Sequence, residues 1–490
     1  MRLRTVSALL LAAALLPACT PKRAHTAPPA APIDPVVAVP PTQAVSPVEL
    51  EVVGELANRM IEAGKPGEVL ARIRILSPEG HGAERPRANI GLVVDTSGSM
   101  EGDAIVQARS AALSLLADLR DGDVLSVVVF GSVPEVLVPA TVIDAQARPK
   151  IRADIERMKA TGTTDLAGGL SYGLAQVQSQ MRTGEINRIV LLSDGVPNDE
   201  SQIYGFAQQA RSYGVPITAL GLGLEYHETL LGQLAQESGG KFHFVEDPAK
   251  VASVFREEVL SIDSIAARGV ALTLTPGPGV SVIEVPGFSP GYSGRSVVIG
   301  LPDLAEGDTQ QVIVRLAVGE HKDGANVELL DGVVSYADVR TGMGLQQRTF
   351  VSAKATADAA ELEQGVNLEV AIAAARATTA AATLQIVQLA RGGDVKGATA
   401  LLDTTVKHAK GLQKVMPDPE LARLVDALVE LRPTLKGLAP QPVAVDRHGR
   451  GDAALVDGKA AGIGMREDER RITHNNSRFV PHYFDPAGGP

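Results

Sequence analysis

Three separated stretches of the chain concentrate hydroxyl and carboxylate oxygens. In the first, Asn89 to Met100, a β-branched apolar run ends at Asp95, and Ser97 and Ser99 follow on either side of Gly98. The run reads as a buried strand, and the glycine lets the backbone turn sharply. Asp95, Ser97 and Ser99 can therefore aim their oxygens into one small space where a strand gives way to a helix. Such a hard-oxygen cluster suits Mg²⁺, Mn²⁺ or Ca²⁺ rather than zinc or copper. The same residue types also cap helices, and on this stretch alone the two readings are nearly even. Two further stretches shift the balance. Gly162-Thr163-Thr164-Asp165-Leu166 places a hydroxyl at the start of another helix, and the apolar run Ile189 to Ser193 ends in Asp194 and Gly195. In a parallel α/β sheet the carboxyl ends of neighbouring strands open on one crevice, so these segments can converge.

Taken together, Asp95, Ser97, Ser99, Thr164 and Asp194 resemble the metal-ion-dependent adhesion site of von Willebrand factor type A (VWA) domains. That pattern is Asp-x-Ser-x-Ser, then a distant Thr, then a distant Asp, and no position is missing. The resemblance covers roughly Arg87 to Ser261, about a third of the chain. It implies a site in which the hydroxyls of Ser97, Ser99 and Thr164 hold Mg²⁺ (or Mn²⁺ or Ca²⁺) directly, while Asp95 and Asp194 orient waters and balance charge. Neutral hydroxyls quench a cation little, so an open coordination position favours an acidic group from elsewhere. The expectation is a protein-binding module that takes a partner's carboxylate, and not an enzyme. A structural or assembly scaffold, in which the cation only stiffens the crevice, is the alternative. A metal-dependent hydrolase with Asp194 as base ranks lowest, because the motif supplies no oxyanion donor or substrate pocket.

The surrounding pattern fits a sheet that could position such a site. From Asn89 onward, strands are expected at Val124 to Phe130, Ile186 to Leu192 and Ile217 to Gly221. Helices alternate with them at Asp103 to Leu119, Gly168 to Gln180, Gln202 to Ser212, Glu228 to Glu237 and Val251 to Leu260. Alternation of this kind gives a doubly wound, mostly parallel α/β sheet covered on both faces, here over residues 87–261. Residues 262–355 change to short strands separated by Gly, Pro and Asp turns, the signature of an antiparallel β-sandwich. Residues 49–86 hold a run in which Ile73 and Ile75 alternate with Arg72 and Arg74, as in a half-solvated strand. That segment is expected to pair with the later β region, making the α/β domain an insertion. Residues 356–438 are Ala-rich and helical, interrupted at Gly392-Gly393-Asp394 and Pro417-Asp418-Pro419. The pair resembles one tetratricopeptide-type hairpin, with no second copy. Residues 439–490 are polar and Gly-rich and read as disordered.

A formal charge of −11 and 3% aromatics with no Trp argue against nucleic acid, which needs clustered Lys and Arg. Gly221-Leu222-Gly223 lacks the third glycine of a dinucleotide fingerprint, so no nucleotide is expected. Gly287-Phe288-Ser289-Pro290-Gly291 matches a nucleophile elbow only formally, because Pro290 has no N–H to hold an oxyanion. Arg450-Gly451-Asp452 is best explained by chance. At the amino end, residues 1–18 have the basic head and short apolar body of a secretory signal. The single cysteine follows in Leu16-Pro17-Ala18-Cys19, similar to the lipobox of bacterial lipoproteins. Cys19 would then carry the lipid that anchors the protein to a membrane of the bacterial cell envelope. Thr20 in the next position points to the outer membrane. Residues 19–48, rich in Pro and Ala, would form an extended tether or an equally plain spacer.

Overall fold

The computed structural model describes residues 47–79, 86–182, 184–194, 202–222, 228–245, 250–256, 264–288 and 290–438. The leader, Cys19, most of the tether, Gly195, Gly223, Ser289, the Arg450-Gly451-Asp452 stretch and the tail from 439 lie outside the described residues.

Strands β1 (Glu51–Leu56), β2 (Met60–Glu62) and β3 (Gly67–Leu76) precede the α/β layer. That layer runs β4 (Ala88–Asp95), α1 (Asp103–Asp118), β5 (Val124–Phe130), β6 (Pro134–Val142), α2 (Ala147–Glu156), α3 (Leu166–Ser179), β7 (Ile186–Ser193), α4 (Ile203–Ser212), β8 (Ile217–Leu222), α5 (Glu228–Ser238) and β9 (Phe242–Val245). Its six-stranded sheet has the order β6-β5-β4-β7-β8-β9. Every neighbouring pair is parallel except β5 with β6. Every residue of β4 and β7 is buried, as a sheet sandwiched between helices requires. Ile90, Leu92 and Val94 belong to the core shared with α1 and α2, while Val93, Val128, Ile189 and Leu191 belong to the core shared with α3, α4 and α5.

The remaining strands are β10 (Ile265–Pro276), β11 (Val280–Glu284), β12 (Gly291–Ser293), β13 (Ser296–Gly300), β14 (Leu304–Ala305), β15 (Thr309–Val318), β16 (Asn326–Asp338) and β17 (Gly344–Thr356). One sheet has the order β1-β3-β15-β11 and the other β12-β13-β10-β16-β17-β2. Their facing side chains form one core, to which Ile73 and Ile75 of one sheet and Leu272, Leu274 and Val334 of the other belong. Strand β3 sits between β1 and β15, antiparallel to both. The chain thus lays down one edge of the sandwich, leaves to build the α/β layer, and returns at β10.

The helices that follow are α6 (Ala359–Gln364), α7 (Leu368–Arg391), α8 (Val395–Val415) and α9 (Pro419–Leu431). Asp394 and Asp418 cap α8 and α9, accepting from Gly397 N and Leu421 N, as short polar side chains do at helix starts. Here one sequence expectation fails. Arg72 does not face solvent and is only 4% exposed. Helix α7 covers that face of the sheet, its small Ala374 and Ala377 packing with Leu70 and Ile313. Buried in this way, the guanidinium of Arg72 donates to Glu55 Oε2 at 3.0 Å and to Glu369 Oε1 at 2.8 Å, which is how a buried charge is tolerated.

Candidate metal centre

Strand β4 delivers Asp95 to the carboxyl edge of the sheet, fully buried. A single 3₁₀ turn, Gly98–Met100, then reverses the chain, and the buried Met100 pins it to the core beneath. Asp95 Oδ1 accepts the Ser97 backbone N–H at 2.8 Å, and Oδ2 accepts the Ser193 hydroxyl at 2.7 Å. Both carboxylate oxygens are thereby held in place. Burial pushes the Asp95 carboxyl above its usual range, and the bonds from Ser97 and Ser193 offset only part of that. A desolvated carboxylate with this history gains from a nearby positive charge.

The Ser97 and Ser99 hydroxyl oxygens lie 2.9 Å apart, and Ser99 Oγ donates to Asp194 Oδ1 at 2.8 Å. Asp194, one residue beyond β7, is 9% exposed. Four of the five predicted side chains are therefore within one bonded cluster, with Ser193 tying Asp95 to the β7 end.

Backbone bonds tie the loop that carries Thr164 to the same end of the sheet. Thr161 N donates to Thr96 O at 2.6 Å, Gly98 N to Gly162 O at 2.9 Å, and Asp165 N to Gly131 O at 2.9 Å. Thr164 is 7% exposed, and its hydroxyl is not bonded to the other four side chains. The close approach of these loops requires glycine. At Gly162, where φ is +86°, a Cβ would lie 2.5 Å from Ser132 Oγ, and a Cβ at Gly131 would collide with Thr161 O. Helix α3 repeats the device one layer down. A Cβ at Gly169 would lie 2.6 Å from the Phe130 ring, and one at Gly173 would strike Val93. Asp165 caps α3 by accepting from Gly168 N at 3.0 Å, so the helix start fixes the Thr164 loop.

Two functional positions escape a reading by motif. Ser193 looks like the last residue of an apolar strand, and its only signal is a hydroxyl directly before Asp194. Ser132 belongs to no motif, yet its Oγ accepts from Thr163 N at 3.0 Å.

The donor set can be tested for fit to a small divalent cation. Adjacent oxygens of a Mg²⁺ octahedron with bonds of about 2.0–2.1 Å lie about 2.9 Å apart. The Ser97–Ser99 and Ser99–Asp194 separations of 2.9 and 2.8 Å, which are also ordinary hydrogen-bond lengths, put three oxygens close enough to share one small ion. Among the described residues no three His, Cys, Asp or Glu side chains converge as a metal set, so a cation here would rest on hydroxyls with two carboxylates. Ser97, Ser99 and Asp194 fit the group, with the buried Asp95 beside them and the Thr164 loop bonded to the same strand end.

A doubly wound sheet with polar oxygens gathered beyond the carboxyl ends of its central strands defines an α/β binding module. Residues 89–257 match the family model of the von Willebrand factor type A domain, and this part of the chain is a VWA domain. Domains of this family generally hold a divalent metal in the corresponding crevice and bind protein partners. The fold is similar to that of a von Willebrand factor type A protein from Catenulispora acidiphila. The TM-score is 0.64 at 18% identity, covering 80% of this chain and 97% of the other. It is also similar to the ArnB paralog VWA2 from Sulfolobus acidocaldarius, with a TM-score of 0.51 at 19% identity, covering 79% and 98%. In sequence it is 27% identical to the uncharacterized protein sll0103 of Synechocystis over 46% of this chain and 53% of the relative. It is 32% identical to inter-alpha-trypsin inhibitor heavy chain H1 of Mesocricetus auratus over 31% of this chain and 18% of the relative. The chain thus spans about half, or less, of the length of these relatives.

Proposed function

We propose that the VWA domain binds a protein partner through a divalent cation, Mg²⁺ in the first instance, held by Ser97, Ser99 and Thr164 with Asp95 and Asp194 around it. The observation that carries this is the gathering of the Ser97, Ser99 and Asp194 oxygens into one cluster beside the buried Asp95 at the carboxyl end of the sheet. When bound, the cation would supply a Lewis-acidic position that a carboxylate can fill. The chain's own residues do the rest: Asp95, locked by Ser97 N–H and Ser193 Oγ–H, supplies buried negative charge, and the serines present neutral oxygens that leave the ion electrophilic. Binding, not catalysis, is the reading, because Asp194 is engaged by Ser99 and no oxyanion donor belongs to the motif. A scaffold reading has one observation in its favour: Ser97, Ser99 and Asp194 are joined to each other by hydrogen bonds of ordinary length.

Calorimetric titration of Mg²⁺ and Mn²⁺ separates the two. Saturable binding is expected, with Ser99→Ala and Thr164→Ala each weakening it at least about tenfold, the value of one lost oxygen contact at roughly 1.4 kcal/mol. No cation heat in any of these proteins would leave only the scaffold. The Leu16-Pro17-Ala18-Cys19 motif further supports a lipid-anchored place in the bacterial cell envelope, and we include it in the proposal. Cys19→Ser should move the protein from the membrane fraction to the soluble fraction, with loss of lipid mass at the amino terminus.

A further inference from the structure

We infer that a second copy of this chain pairs with the first along β17, the two strands running antiparallel about a two-fold axis at Thr349. Strand β17 is bonded to β16 over Gly344–Lys354, but on its other side β2 covers only Lys354–Thr356. Lys354 N–H points to that second side, where it donates to Arg59 O at 3.1 Å, while Ala355 N–H points back and donates to Ala325 O at 2.8 Å. Backbone groups alternate in this way along a strand in an antiparallel pair. The N–H groups of Gln346, Arg348, Phe350 and Ser352 therefore face outward, and all four residues are exposed. Among the described residues no strand pairs with them. The side chains between, Thr349 and Val351, turn inward, where Gly54 of β1 lies against them.

Strand edges meant to stay in water are blunted by brevity, proline, charge or a bulge. The other edges here follow that rule. Strands β12 and β9 have three and four residues, β6 carries Pro134 and Pro139, β11 has a bulge between Val282 and Glu284, and β1 carries Glu51 and Glu55. Over Leu345–Ala353, β17 has no proline, and the register shift of the β16–β17 pair puts its extra residue, Leu329, on β16. The single charge of that run, Arg348, stands two residues from Phe350, an aromatic left 56% exposed. This order complements itself. The open run Leu345–Ala353 is centred on Thr349, and an axis there sets Arg348 of each copy opposite Phe350 of the other, with Gln346 opposite Ser352. A guanidinium against an aromatic ring is favourable, and symmetry makes the contact twice. An axis one residue earlier would set Arg348 against itself, so charge fixes the register.

The test is sedimentation velocity over a concentration series, on the full chain carrying Cys19→Ser so that no lipid drives association, and in EDTA so that the cation crevice takes no part. A reversible dimer is expected, with a dissociation constant on the order of 10 µM, as suits a small interface. Phe350→Lys sets a second cation opposite Arg348 and should weaken the dimer at least about tenfold, whereas Phe350→Glu sets a carboxylate there and should keep it within about threefold of the starting protein. Arg348→Pro removes an outward N–H that β16 does not use, and should give a monomer with an unchanged urea midpoint. A protein that stays monomeric up to about 100 µM, roughly tenfold above the expected constant, would overturn the inference. So would a dimer that is equally tight in Phe350→Lys and Phe350→Glu, or one that persists in a folded Arg348→Pro.

Discussion

Asp95 shows how one side chain can be costly to the fold and necessary to the site. It is fully buried, accepts two hydrogen bonds, and its carboxyl is pushed above the ordinary range by that burial. Folding would therefore be no worse with a neutral isostere, which keeps the shape and sheds the desolvation. Asp95→Asn is expected to hold or raise the urea midpoint of the cation-free protein while abolishing Mg²⁺ binding in calorimetry. A lower midpoint with Mg²⁺ binding unchanged would mean that the carboxylate serves the fold alone. Ser193→Ala moves the other way. It leaves Asp95 Oδ2 without its donor, and a buried acceptor so stranded costs about 1–3 kcal/mol. The unfolding free energy extrapolated from the urea curve should drop by that amount. The motif residues around these two could be read from types and spacing, since hydroxyls and carboxylates at strand ends announce themselves. Ser193 could not, because a serine inside an apolar strand looks like a weak strand residue until its bond to Asp95 is seen.

Helix α3 positions Thr164, and it does so through what it lacks. Gly169 and Gly173 let the helix sit on Phe130 and Val93. Gly169→Ala puts a methyl 2.6 Å from the Phe130 ring, an overpacking that costs about 1–3 kcal/mol. Because α3 carries the Thr164 loop, Mg²⁺ affinity should fall together with the thermal midpoint. A lower midpoint with unchanged affinity would show that the loop holds its place without the helix. Strands β4 and β7 were legible because each holds an apolar run, Ile90 to Val94 and Ile189 to Leu192, that ends at hydroxyl and carboxylate residues. Strand β6 was not, with Pro134 and Pro139 in it and every residue but Val138 partly or fully exposed at the sheet edge. Strand β9 has four residues, too few to show a period. Arg72 misled for a different reason: alternation reports that a face is polar, not whether a later helix will cover it. At the far end of the helical region, Arg376 bonds Asp418 and holds its carboxyl below the usual value, while Asp418 caps α9. A depressed carboxylate contributes stability that is present above its unfolded pKa of about 3.8 and lost as pH falls through the lower folded value. The wild-type helices should lose stability on acidification through that window, and Asp418→Asn should show a flatter profile when melting is followed by circular dichroism.

The α/β domain and the sandwich meet at the opposite end of β4 and β7 from the crevice. Arg87 and Glu185, just before the two strands, pair at 3.2 Å, and Arg188 reaches Asp303 of the sandwich at 3.5 Å. Arg211, in the last turn of α4, lies directly over Gly300 of β13, near Glu237 and Asp303. Burial lowers its pKa, and those two carboxylates work against that. The insertion was legible from the isolated strand run before Asn89, but this contact was not, since nothing in a lone glycine or arginine names its partner 89 positions away. Gly300→Ala would displace the guanidinium and loosen the junction by about 1–3 kcal/mol, as overpacking does. Differential scanning calorimetry should then resolve separate transitions for the two parts. Arg211→Ala in the same background removes the clash and should recover part of the loss, which a simple weakening of β13 would not allow. Eight residues of β4 span about 26 Å at the usual strand rise. With rigid, fully buried strands between, Mg²⁺ affinity should be the same in Gly300→Ala as in wild type. A change in affinity would instead make the junction a lever on the crevice, working through β4 and β7.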